Sequence, residues 1–202
     1  MTTRTARRDR YALAAITALT AVAALALTVA ALTRPGYRSG PGFPPLQPAA
    51  APASWPRVTL PNGTAVLSYP PTLRPLAGDK AAVSAAQESP GGAFQLYLNA
   101  TPRQGTEQLA HWAAFRLHLL RSDDAATVQQ VAAAQGVRFR GGTGSCVIDT
   151  YITRIGAHHY QEIACLVHGH TSSSVIVAAA PTTTWAQSRA LLLRAVGAYL
   201  VR

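Results

Sequence analysis

Hydrophobic and polar positions divide the chain into one long apolar segment near its start and a later region of short alternating runs. Residues 11–32 contain no charged side chain. As a helix rising ~1.5 Å per residue, they would span about 33 Å, close to the thickness of a bilayer's hydrocarbon core. A helix also satisfies every backbone hydrogen bond within itself, which lipid requires. The pattern therefore predicts one transmembrane helix from Tyr11 to Leu32.

The charges around this segment predict its orientation. Residues 1–10 contain four arginines and one aspartate, and only Arg34 and Arg38 follow the segment closely. Short basic stretches stay on the cytoplasmic side of a membrane. We therefore predict a basic cytoplasmic leader (1–10), a single-pass signal anchor in the cell membrane (11–32) and a C-terminal domain outside.

Two other interpretations of residues 11–32 stay open at this point. One is a cleaved secretory signal, since the small residues Ala30 and Ala31 lie near the end of the segment, although the apolar part of such signals usually has about 7–15 residues. The other is a buried helix of a soluble domain. The length of the segment favours the uncleaved anchor over a cleaved signal, and the basic leader and the proline-rich sequence that follows argue against a buried helix.

The residues after the apolar segment are predicted to form a spacer and then one domain. Residues 33–56 contain seven prolines among glycines and other small residues. This composition favours an extended chain without a core of its own, so we predict a linker over 33–56. Residues 57–202 are long enough to bury the core of one extracytoplasmic domain.

The first part of this domain alternates between strand-like runs and turn-forming residues such as Pro61-Asn62-Gly63. From Thr106, a predicted N-cap, apolar residues recur at helical spacing with Arg116 as the exception, which predicts a helix over 106–121. Residues 125–135 fit a helix or a strand. The predicted strands are Val58–Leu60, Ala65–Tyr69, Ala81–Gln87 and Ala93–Asn99.

The last third predicts three consecutive strands and a final helix. Thr184 and Gln187 form a predicted capping box that opens this helix, which ends near Leu200. The predicted fold class is α+β, a largely antiparallel sheet covered by helices. The three strands are Cys146–Arg154, His159–His168 and Ser173–Ala180.

This order of elements resembles the PsbP-like α/β/α sandwich of exported bacterial proteins. The resemblance covers most of residues 57–202 and depends on Val66–Pro70, the helix around Leu109–Leu120, and the block from Cys146 to the terminal helix. It depends on element order and includes no signature motif. It implies a binding or assembly-assisting role more often than catalysis, and it supplies no catalytic residues.

The two cysteines of the chain predict a register. In an exported domain, Cys146 and Cys165 can form a disulfide, although two buried free thiols are the alternative. Placing Cys146 opposite Cys165 puts Arg154 opposite Ala157 and leaves Ile155-Gly156 as a two-residue turn. Glycine suits the second turn position because a type II turn requires a positive φ there.

The same register places Asp149 opposite Glu162, on the face away from the cysteines, with Tyr151 facing Tyr160 beside them. Like charges directly opposed are unfavourable unless a cation, an arginine or a shared proton relieves them. The four residues are therefore a candidate ligand or acid–base site. Alternatively, this is a solvated surface neutralised by an arginine such as Arg138 or Arg140.

Other combinations of residues predict little chemistry. His168 and His170 could face the same way at a strand end, as metal ligands often do, but the sequence offers no evident third ligand. We predict no cofactor, no metal site and no catalytic motif, since the serines at 172–174 lack a nucleophile elbow. The net charge of +10 is not clustered, so we do not expect nucleic-acid binding.

Two functions are compatible with the sequence. The first is a membrane-anchored envelope domain that binds or scaffolds an envelope protein, a lipid or a wall polymer, since mild attraction to anionic surfaces suits its charge. The second is a small hydrolase or metal-dependent binder that uses Asp149 and Glu162.

Overall fold

The computed structural model describes residues 36–77 and 79–202, so the predicted leader and the predicted transmembrane helix, Tyr11–Leu32, lie outside the described residues. Within the described part, no helix is long and apolar enough to cross a bilayer. Residues from Tyr37 to Arg202 form one compact unit.

Eleven strands and two α-helices make up this unit, with a short 3₁₀ helix at Leu109–His111. The strands are β1 (Arg38–Ser39), β2 (Arg57–Thr59), β3 (Ala65–Ser68), β4 (Arg74–Leu76), β5 (Val83–Glu88), β6 (Phe94–Pro102), β7 (Ala125–Phe139), β8 (Gly142–Thr153), β9 (His159–His168), β10 (Ser173–Pro181) and β11 (Leu200–Val201). The helices are α1 (Trp112–Asp123) and α2 (Trp185–Ala198).

The strands form two antiparallel sheets, which confirms the predicted α+β class. The large sheet has eight strands in the order β1-β7-β8-β9-β10-β6-β5-β4, and the small one has the order β11-β3-β2. A single parallel bridge between Arg140 and Leu200 connects them. The strand pairs predicted in the first part of the domain and the three consecutive strands of the last third are all present.

The two helices lie on opposite faces of the large sheet, which gives the domain three layers. Helix α1 packs on β7, β8 and β9, and α2 packs on β10 and the small sheet. The larger core is on the α2 side and includes Leu192, Val196 and Tyr199. A smaller core on the α1 side surrounds Trp112, whose indole N–H donates to the carbonyl of Ala164 at 2.9 Å.

Cys146 and Cys165 are directly paired in the β8–β9 hairpin and form a disulfide, with their Cα atoms 4.1 Å apart. The predicted register is therefore confirmed. The turn is longer than predicted, because the Arg154 N–H donates to the carbonyl of Asp124 instead of pairing across the hairpin. Gly156 has the expected positive φ of 77°, and Ala157 follows it with a φ of 48°.

Residues 125–135, which fitted either state, belong to the long strand β7. Residues of β7 pair with β8 along the strand, although three register shifts interrupt the pairing. This pairing outweighs the helix propensity of the alanines in β7. The predicted helix 106–121 begins later, at Trp112, after the 3₁₀ turn. Thr184 is the N-cap of α2 but makes no side-chain cap, since its hydroxyl lies against the Pro181 carbonyl, so the predicted capping box is absent.

The proline-rich residues from Tyr37 to Pro56 pack on the domain, whereas their composition predicted a free spacer. Ala51 and Trp55 are buried in the larger core, and Phe43 and Leu46 pack against it. Backbone hydrogen bonds connect Ala49 to Gly197 of α2 and Gly40 to Ala133 of β7, at 3.0 and 2.8 Å. The few large apolar side chains between the prolines provide enough apolar area to hold the segment in place.

Candidate functional site

Cross-strand rows of side chains form the α1-side face of the large sheet. One row runs from Asp149 on β8 through Glu162 on β9 and Ala179 on β10 to Tyr97 on β6. Helix α1 covers the β8 and β9 end of this row. The β10 position carries only a methyl group, so the surface is concave between the helix and Tyr97.

This concavity is a groove of about 580 Å³, which we call the main groove. Its volume lies within the range of small-molecule sites. Its floor is formed by Val177 and Ala179, its walls by side chains from α1, β6, β8 and β9, and its mouth by the β8–β9 hairpin. The lining residues are Phe94, Tyr97, Asn99, Arg116, Leu120, Asp123, Asp124, Tyr151, Thr153, Arg154, Ile155, Tyr160, Glu162, Val177 and Ala179.

A buried ion pair lies in this groove. Arg116 of α1 donates from Nε to Oε1 of Glu162 at 2.7 Å and from Nη2 to Oε2 at 3.0 Å. Glu162 is only 1% exposed and the Arg116 side chain 15%. Burial lowers the pKa of Arg116, but the charge and hydrogen bonds of Glu162, together with smaller effects of Asp149 and Tyr151, raise it overall, so the guanidinium stays charged. The two-point geometry satisfies both carboxylate oxygens, which a buried charge requires.

Asp149 lies beside this pair and is completely buried. Neither of its carboxyl oxygens has a hydrogen-bond partner among the described residues. Burial and the charge of Glu162 raise the pKa of Asp149 to about 8, against the opposing effect of Arg116. At neutral pH Asp149 is therefore mostly protonated, and the group of Asp149, Glu162 and Arg116 has almost no net charge.

Aromatic pairs flank the floor on both sides. The Tyr151 and Tyr160 rings face each other with centroids 5.7 Å apart, and the Phe94 and Tyr97 rings are stacked at 5.1 Å. Burial raises the pKa of both Tyr151 and Tyr160, so their hydroxyls stay protonated at neutral pH.

The structure brings the four predicted site residues together but does not give all of them access to the groove. Glu162, Tyr151 and Tyr160 line it, whereas Asp149 does not. The neutralising arginine is Arg116, and neither Arg138 nor Arg140, which the alternative of a solvated surface had named as examples. The only sequence signal for Arg116 was its position as the one polar residue on the apolar stripe of α1.

The histidines do not form a metal site in the part of the chain described. His168 ends β9 opposite Ser173, and His170 is exposed in the following turn. Burial and the nearby Arg103 cation lower the pKa of His168, and a metal ion would meet the same repulsion. No group of three or more potential metal ligands occurs within residues 36–77 and 79–202.

A smaller hollow of about 160 Å³ continues the main groove along α1, and we call it the side hollow. It shares Asn99, Arg116 and Val177 with the main groove and is also lined by Trp112 and Phe115. The concave surface therefore extends beyond the ion pair.

No protein-family profile and no curated protein sequence matches this chain. Its fold is similar to that of solved bacterial structures. The PsbP protein of Synechocystis sp. PCC 6803 aligns over 81% of this chain and 100% of its own length, with 10% identity and a TM-score of 0.48. LpqN of Mycobacterium tuberculosis, a protein involved in cell envelope biogenesis, aligns over 82% and 91%, with 11% identity and a TM-score of 0.44.

A protein from Bacteroides thetaiotaomicron aligns over 72% of this chain with 10% identity and a TM-score of 0.44, and this chain spans about half of its length, 48%. The PsbP fold expected from the element order is thus among the similar structures.

Proposed function

We propose that this protein is a membrane-anchored, extracytoplasmic binding domain of the cell envelope, and that its ligand occupies the main groove. The observation that supports the binding role is the groove itself: a concave surface with an apolar floor, aromatic walls and a preformed ion pair. Such a combination is typical of ligand sites, in which a few fixed polar groups orient a ligand on an apolar surface. The charge-free segment Tyr11–Leu32 supports the membrane anchor.

The Arg116–Glu162 pair is preorganised for binding. Both side chains are already held by two hydrogen bonds, so a ligand that contacts them does not have to order them first. Catalysis by the two carboxylates, the alternative predicted from the sequence, would require Asp149 to reach a substrate. Its side chain is completely buried and outside the groove, so we favour binding.

Thermal unfolding of the full-length protein in phosphatidylcholine nanodiscs tests the binding role. Fractions extracted from the envelope of the producing cell are added, and the shift of the midpoint is recorded. A ligand at about 100 times its Kd adds about 2.7 kcal/mol to stability, which corresponds to a shift of about 5 °C or more.

Two alanine variants connect such a shift to the main groove. Tyr97→Ala removes one wall of the groove and is expected to reduce the shift to about half or less, whereas Tyr37→Ala changes a tyrosine that is 55% exposed and outside the groove, and should retain it. Binding at the groove would be disproved if no fraction shifts the midpoint, or if Tyr97→Ala responds like the unmodified protein.

A further inference from the structure

The inference concerns the chemical class of the ligand, and it depends on the proposed function of the main groove. The first constraint is charge. Arg116 is compensated by Glu162 at 2.7 Å, so no unpaired cation is available deep in the groove for an anionic ligand. At the mouth, the two carboxylates of Asp123 and Asp124 outnumber the one cation, Arg154, so the mouth has no net positive charge for an anion. An organic cation would have to lie close to the Arg116 guanidinium, which carries the same charge and would repel it. The charges therefore favour a neutral ligand.

The second constraint is hydrogen bonding. Arg116 uses Nε and Nη2 on Glu162, which leaves the N–H groups of Nη1 for a ligand. The Asn99 side-chain N–H₂ donates to the Ser84 hydroxyl at 2.7 Å, and its carbonyl oxygen is left as an acceptor. A purely apolar ligand would remove water from these groups without replacing its hydrogen bonds, at a cost of about 1–3 kcal/mol for each group. The ligand must therefore offer both donors and acceptors.

The hydroxyl group meets this requirement with one atom, because it donates one hydrogen bond and accepts two. A hydroxyl beside the ion pair can donate to a Glu162 oxygen or accept from Arg116 without altering the charge balance of the pair. The Tyr151 hydroxyl, which stays protonated at neutral pH, adds another group of the same kind.

The third constraint is shape. Tyr97 on β6 and Glu162 on β9 lie on either side of Ala179, two strand spacings or about 9.5 Å apart. Since only the Ala179 methyl group lies between them, the groove has room for one saturated ring between Tyr97 and the ion pair. The C–H bonds on the face of such a ring carry a small positive charge and pack favourably on the negative face of an aromatic ring. The side hollow continues the surface past Asn99, which leaves space for a second ring.

We propose that the main groove binds a neutral, polyhydroxylated ring, that is, a sugar residue of an oligosaccharide. The sugar packs a C–H face on the Phe94–Tyr97 and Tyr151–Tyr160 pairs and places hydroxyls against Arg116 and Glu162.

Titration calorimetry with the full-length protein in phosphatidylcholine nanodiscs tests this class. Maltotriose and triacetylchitotriose are the neutral probes, trigalacturonic acid is the anionic probe, and tetramethylammonium is the cationic probe. We expect heat of binding from at least one neutral trisaccharide and none from the charged probes.

Three variants assign the site. Tyr97→Ala should weaken binding at least tenfold because a central aromatic contact is lost. Tyr151→Phe keeps the ring pair but removes one hydroxyl, and should weaken binding severalfold. Tyr37→Ala should bind like the unmodified protein. Thermal unfolding of each variant without ligand establishes that it is folded.

Each other outcome identifies which proposal fails. Groove-dependent binding of the anionic or the cationic probe, or no binding of either neutral trisaccharide while envelope fractions still shift the midpoint through Tyr97, would overturn the neutral-sugar class and leave the proposed function intact. Neutral binding that Tyr97→Ala retains would place the sugar elsewhere and also overturn the inference. No binding of any probe together with no midpoint shift would overturn both proposals.

Discussion

At the residue scale, Asp149 couples folding to pH. Burial first, and then the charge of Glu162, raise its pKa from an ordinary value of 3.8 to about 8 in the folded protein. The folded protein therefore keeps a proton that the unfolded chain releases. Between these two pKa values the free energy of unfolding falls as the pH rises, by at most about 1.4 kcal/mol per pH unit from this group. Above the pKa of Asp149 in the folded protein, this group no longer changes the free energy of unfolding as the pH rises.

Asp149→Asn removes this dependence. We expect the variant to gain stability relative to the unmodified protein as the pH rises from about 5 to about 8, with a constant difference at higher pH. Urea unfolding followed by the fluorescence of the buried Trp55, Trp112 and Trp185 measures the difference at each pH. The exposed Glu88→Gln variant is the control. A difference that does not vary with pH would show that Asp149 is ionised in the folded protein.

At the element scale, the proline-rich segment and α2 are packed closely together. A β-carbon at Gly197 would lie 2.6 Å from the carbonyl oxygen of Gln47, a backbone atom that cannot move away independently. Gly197→Ala should therefore cost about 1–3 kcal/mol by overpacking, even though alanine favours a helix. It should also speed proteolysis between Tyr37 and Pro56, because the packing of this segment on α2 is disturbed.

A second glycine provides the matched control. A β-carbon at Gly91 would meet only the Ser89 hydroxyl, at 3.8 Å, so Gly91→Ala should leave both stability and proteolysis almost unchanged. If Gly197→Ala behaves in the same way as Gly91→Ala, the proline-rich segment does not pack against α2 in solution.

The β8–β9 hairpin could be predicted from the sequence, whereas the arginine that packs against it could not. Two independent local signals, the cysteine pair and Gly156, agreed on the register of the β8–β9 hairpin, and that register placed Asp149 beside Glu162. The partner of Glu162 could not be found in this way, because Arg116 is 46 positions away and arrives through the packing of α1 on the sheet. The secondary structure of residues 125–135 could not be predicted for a related reason. Their alanines favour a helix, and they form a strand only because β7 pairs with β8.

At the scale of the whole molecule, composition and packing gave different answers for the proline-rich segment. Proline content predicted a spacer, but Trp55 lies in the core with the Arg194 guanidinium 5.8 Å from its ring centroid. A few large apolar side chains hold this segment on the domain although its average composition favours a free chain. Their contacts exist only in the folded domain, so composition alone could not predict them. The main groove is likewise a property of the assembled layers, since it needs α1, the small side chains of β10 and the aromatic residues of β6 and β9 at once.

The proposed location of the domain is outside the cytoplasm, where it would meet an envelope ligand and where its disulfide would persist. Lys80 is the only lysine of the chain, and it is exposed. An amine-reactive reagent that does not cross membranes therefore reports its location in intact cells. As a matched control, Thr3→Lys in the Lys80→Arg background moves the single lysine into the predicted cytoplasmic leader. We expect Lys80 to be modified in intact cells and the lysine at position 3 only after lysis. Modification of Lys80 only after lysis would contradict the account.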